Sequence, residues 1–75
     1  MPERIELNCR GMKCPRPIIE IAKAARRSSS GTELLVASDD LAFESDVKAW
    51  CETTKATLVA LERDGAAVVA TIRLA

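Results

Sequence analysis

The chain has 75 residues, enough for one small domain spanning 1–75 and no second one. It is 48% hydrophobic and 29% charged, and its 11 cationic and 11 anionic side chains cancel, which excludes a disordered chain and the broad basic field of a dedicated nucleic-acid binder. Phe43 and Trp50 are the only aromatics, too few for a base-stacking platform, and no apolar run is long enough to span a bilayer.

Met1-Pro2-Glu3-Arg4 carries no apolar leader, so a cytoplasmic location is expected. Arg4 to Asn8 alternates, with Ile5 and Leu7 on one face and Arg4 and Glu6 on the other, and predicts a strand. Cys9 to Lys13 reads as a loop in which Gly11 permits a sharp turn. From Pro15 to about Ser28 the period becomes helical, with Ile18, Ile21, Ala22 and Ala25 on one face. Ser28-Ser29-Ser30-Gly31 ends that helix.

Thr32 to Ser38 is a continuous apolar run of strand length and reads as a central strand. Asp39-Asp40 follows, and Asp40 is placed as the N-cap of a second helix from Leu41 to about Thr53, with Phe43, Val47, Trp50 and Cys51 as its buried stripe. Thr57 to Arg63 is a third strand, Asp64-Gly65 a two-residue hairpin signal, and Ala66 to Leu74 a fourth strand. The order β-α-β-α-β-β with right-handed crossovers predicts an α+β (α/β) two-layer sandwich, with both helices on one face of a mixed sheet. On the other, open face stand Leu35, Ala37, Val59, Leu61 and Val69.

Cys14-Pro15-Arg16-Pro17 is the stretch that points to chemistry. Proline suits the first helical position, because its φ is set and its missing N–H would have been unpaired there. This places Cys14 at the N-cap and Pro15 at the first helical position, with the Arg16 N–H left to face the sulfur. The positive end of the helix dipole, with Arg10, Lys13 and Arg16 nearby, is expected to favour the thiolate, the reactive form. The bland readings are helix initiation for Pro15 and Pro17 and a solvated basic rim for the three cations.

The chain has no histidine, which excludes Ser-His and Cys-His catalysis and histidine-containing zinc sites. Its three cysteines match no zinc spacing and form an odd set without a secretion signal, so free thiols and no metal are expected. Cys9 shares parity with Ile5 and Leu7 and reads as core, with a resolving thiol for Cys14 as its rival; Cys51 reads as core.

Gly11-Met12-Lys13-Cys14-Pro15-Arg16-Pro17 matches a G-x-x-C-P-x-P signature, and with the element order around it the chain resembles the TusA-like (SirA-like) sulfur-carrier family over nearly its whole length. The resemblance implies a fold like the C-terminal domain of translation initiation factor 3, with a four-stranded sheet in order 1-2-4-3. It implies a partner-dependent sulfurtransferase that carries a persulfide on Cys14 and needs no other cofactor. The implied donor is a cysteine desulfurase or a rhodanese-like protein, and the implied acceptor a downstream protein of tRNA thiolation, molybdenum-cofactor synthesis or sulfur metabolism. Gly11, Pro15, Arg16, Pro17, Arg10 and Lys13 are the supporting residues, and neither direct nucleic-acid nor membrane binding is expected of what reads as a monomer. Asn8 stands where the family usually has Asp, Leu41 where proline is common, and Lys55-Ala56 where Gly-His is frequent. The alternative function is a non-catalytic adaptor or regulatory module that binds protein or RNA through the open sheet face.

Overall fold

The structure, a computed structural model, describes residues 3–75; Met1 and Pro2, part of the stretch read for a leader, lie outside the described residues. Strand β1 (Arg4–Asn8) leads through a loop into helix α1 (Arg16–Arg26) and strand β2 (Glu33–Ser38). Helix α2 (Phe43–Thr54), strand β3 (Thr57–Asp64) and strand β4 (Ala67–Arg73) follow. The sheet order is β1-β2-β4-β3, as the resemblance implies. β1 and β2 run parallel, joined by a crossover through α1, and β4 pairs antiparallel with both β2 and β3. Among the described residues no helix is long and apolar enough to cross a membrane.

Both helices cover the same face of the sheet. Ile21 and Ala24 of α1 and Phe43, Val47 and Cys51 of α2 pack with Leu34, Val36, Ala70 and Ile72 of the two central strands. Phe43, Ile21, Leu34 and Ile72 are sealed from solvent, and burial of each contributes about 1.5–3 kcal/mol. Ala24 rather than Ala22 completes the α1 stripe, at helical spacing from Pro17 and Ile21.

Both helices start later than their sequences suggest, for the same reason: a tight turn precedes each. The Arg16 N–H donates to the Lys13 carbonyl at 2.8 Å, and the first helical bond runs from the Ile19 N–H to the Pro15 carbonyl. Pro15 is therefore the N-cap, and Cys14 stands one residue before it. At α2 the Asp40 carboxylate accepts the Ala42 N–H at 3.2 Å and the Asp40 carbonyl accepts the Phe43 N–H at 3.1 Å. Asp40 thus stabilises the turn, and Ala42 is the N-cap. Helix α1 stops at Arg26 because the next N–H groups close tighter bonds, Arg27 to Ala24 and Ser28 to Ala25. The Ser28 hydroxyl also donates to the Ala24 carbonyl at 2.7 Å.

The β3–β4 hairpin turns on Gly65-Ala66, one residue beyond the expected pair, with Asp64 opposite Ala67. Gly65 has φ +65, which suits the first position of a type II′ turn. A bulge at Val59 breaks the alternation of β3. Leu58 lies opposite Ile72 and Leu61 opposite Ala70, so both face the core. Leu61 is thereby removed from the expected open-face set, and Val59 stands 45% exposed. The open face keeps Leu35, Ala37, Val59 and Val69, bordered by the ion pairs of Glu33 with Arg4 and with Arg73 at 3.1 and 3.3 Å.

Lys55 ends α2 at φ +67, a left-handed conformation that favours glycine. Lys55→Gly is expected to raise stability by about 0.5–1 kcal/mol, read as a higher urea midpoint at unchanged slope. The hydrogen bonds from Arg4 and then Arg73 lower the pKa of Glu33. Its folded value lies below the unfolded one, so this stabilisation is present above the ordinary glutamate range and is lost as pH falls through the lowered folded value. Urea midpoints followed from about pH 7 to about pH 2 should show part of the acid loss disappearing in Glu33→Gln.

Candidate functional site

The loop that delivers Cys14 is tied to the end of β2. The Cys9 N–H donates to the Ala37 carbonyl at 2.7 Å, extending the β1–β2 pairing by one residue. The Gly11 N–H donates to the Asp39 carboxylate at 3.0 Å, and Gly11 itself turns at φ +81. Asp39 therefore acts as the anchor of the cysteine loop. Pro17 is buried under the first turn of α1, while Pro15 and Arg16 are exposed.

These restraints bring the Cys14 sulfur to the first turn of α2. Its thiol donates to the Asp46 carboxylate, with Sγ to Oδ2 at 3.1 Å. The sulfur is exposed, whereas Cys9 and Cys51 are buried, and all three thiols are free. Beside Cys14, between α1 and α2, lies a shallow groove of about 360 Å³ lined by Pro15, Ile18, Ala49, Trp50 and Thr53, with Asp46 at its edge. Among the described residues no group of three Cys, Asp or Glu stands close enough to hold a metal ion.

The electrostatics reverse the expectation of an activated thiolate. The hydrogen bond to Asp46 comes first in raising the Cys14 pKa, and desolvation and the negative charges of Asp46 and Asp40 add to it. None of the cations expected to lower it offsets these influences. The Arg10 guanidinium is held by Asn8 at 3.3 Å and by Asp64 at 3.3 Å. The Arg16 charge is felt at Cys9, where burial nevertheless dominates and raises the thiol. Lys13 is exposed and contributes its carbonyl to the turn before α1. The Arg16 N–H, expected to face the sulfur, is used by that same carbonyl.

Asp46 is the site residue that sequence reasoning missed. In the sequence it is a carboxylate in the first turn of a helix, where it complements the dipole and asks for no further role. Its one distinguishing mark is its place at the edge of the buried stripe, three residues after Phe43 and four before Trp50.

Cys14 is thus a reachable thiol whose pKa the Asp46 carboxylate raises. Its reaction with iodoacetamide, followed at the Cys14 peptide by mass spectrometry, should have its pH midpoint above that of free cysteine. A midpoint below that of free cysteine would mean that the basic rim outweighs Asp46.

A family profile described as Sulfurtransferase TusA matches residues 5–74, which includes the loop, Cys14 and every element of the sheet. Among solved structures the chain is similar to the crystal structure of the SirA-like protein from Desulfitobacterium hafniense, with a TM-score of 0.82 at 24% identity, covering 92% of this chain and 95% of that one. That structural likeness carries the fold, and the profile carries the kinship: the protein belongs to the TusA sulfurtransferase family.

Proposed function

We propose that this sulfurtransferase works as a carrier that holds sulfur as a persulfide on Cys14. A cysteine desulfurase or a rhodanese-like protein charges it in the cytoplasm, and a downstream protein of tRNA thiolation, molybdenum-cofactor synthesis or sulfur metabolism discharges it. The observation that carries the reading is the exposure of Cys14 beside the burial of Cys9 and Cys51. Only one of the three sulfurs can meet the sulfur of another protein without unfolding.

The transfer balances without a redox partner. The ionised Cys14 sulfur attacks the outer sulfur of a donor persulfide, R–S–SH. A new S–S bond forms at Cys14 as the donor's own S–S bond breaks, and the donor departs as a thiolate that takes up the proton released by Cys14. The reverse arrangement, with Cys14 as leaving group, passes the sulfur onward. An open groove with an apolar floor beside the cysteine suits contact with another protein surface. The adaptor reading has less support, since Leu61 turns inward at the bulge and is lost from the apolar set of the open face.

Incubation with a cysteine desulfurase and cysteine should add the mass of one sulfur atom to the wild-type chain and none to Cys14→Ala. Cys9→Ser should still be charged, because its sulfur is sealed in the core. Charging of Cys14→Ala to the wild-type level would overturn the proposal.

A further inference from the structure

We infer that Asp46 is a latch on Cys14: its carboxylate holds the thiol's proton and orientation in the free carrier, and a donor protein that sets a Lys or Arg against Asp46 frees the sulfur to attack. The inference rests on the persulfide reading above and names the chemistry of the partner that serves that site.

The geometry comes from two elements that are far apart in the chain. Cys14 ends the loop before α1, Asp46 lies in the first turn of α2, and they meet at 3.1 Å across a separation of 32 residues. The carboxylate accepts the thiol hydrogen, so Cys14 must give up that bond before it can act as a nucleophile. Asp46 is half-buried beside the apolar floor made by Pro15, Ile18, Ala49 and Trp50. No salt bridge among the described residues engages it.

The other charges near the sulfur leave that vacancy unfilled. Asp40, from the turn before α2, adds a second negative charge. Lys13, from the cysteine loop, and Arg16, at the start of α1, flank Cys14 in the chain, but neither pairs with Asp46 or Asp40. The site therefore presents an exposed sulfur beside a carboxylate that has no salt-bridge partner, which a cation on the approaching donor complements. With that cation in place the carboxylate is a weaker acceptor, and Cys14–SH and R–S–SH proceed to Cys14–S–SH and R–SH, the proton ending on the donor's thiol. A free carrier with its thiol held protonated also reacts slowly with stray electrophiles.

The test uses Asp46→Asn and Asp46→Glu in the full chain, with three readouts. In the free protein, Asp46→Asn should lower the pH midpoint of Cys14 alkylation by iodoacetamide and speed the reaction about fivefold at neutral pH, while Asp46→Glu stays near wild type. With N-acetylcysteine persulfide, which carries no cation, Asp46→Asn should take up sulfur about fivefold faster than wild type. With a cysteine desulfurase supplied with cysteine, the same variant should gain nothing or become slower, because the donor already releases the wild-type latch. An unchanged alkylation midpoint in Asp46→Asn would overturn the latch, and an equal gain with both donors would overturn the role of the donor's cation. The alkylation arm involves no sulfur transfer, so it stands or falls apart from the charging of Cys14→Ala.

Discussion

The docking of two helices side by side on one face of the sheet is the constraint from which the site follows. Ile21 from α1 and Phe43 and Val47 from α2 share the apolar surface of Leu34, Val36 and Ile72, and each is fully buried there. That burial fixes where the N-terminal turns of the two helices stand relative to one another. The cysteine loop has little freedom left, since Cys9 is hydrogen-bonded to Ala37 and Gly11 to Asp39, both at the end of β2. Between a loop anchored at one side and a helix packed at the other, the Cys14 sulfur arrives against Asp46.

The site makes a simple electrostatic choice. A cysteine ahead of a helix, with basic residues around it, is ordinarily a candidate for a stabilised thiolate. Here the charges that act on the sulfur are the carboxylates of Asp46 and Asp40, and Arg10 is committed to Asn8 and Asp64. The sulfur is accessible, and its hydrogen bond to Asp46 favours the thiol over the thiolate. With no histidine in the chain, no imidazole base stands beside the sulfur.

Much of the fold is legible in local patterns. Arg4–Asn8 is a strand in the structure as in its alternation, because an edge strand with one buried face obeys a period of two. Phe43, Val47 and Cys51 lie buried on α2 as their helical spacing requires. Local patterns fail where hydrogen bonds outside the regular elements compete with them. Lys13 and Asp40 supply the acceptors of the turns that delay the two helices, and the extra residue at Val59 turns Leu61 from the open face to the core. A bulge has no reliable mark in β-branched and aliphatic sequence, since either parity of such a strand is apolar enough to be buried.

What the sequence by itself determined is the order of elements, the apolar faces, and a lone cysteine set where a glycine loop meets a proline-started helix. Residue spacing encodes these because the chain's own periodicity decides which side chains share a face. What only the tertiary structure decided is the company that cysteine keeps. Asp46 reaches it from 32 residues away, and the pairing exists because two separate helices are pressed onto one sheet. No local spacing encodes a contact of that kind, and it is this contact that sets whether the sulfur rests as thiol or thiolate.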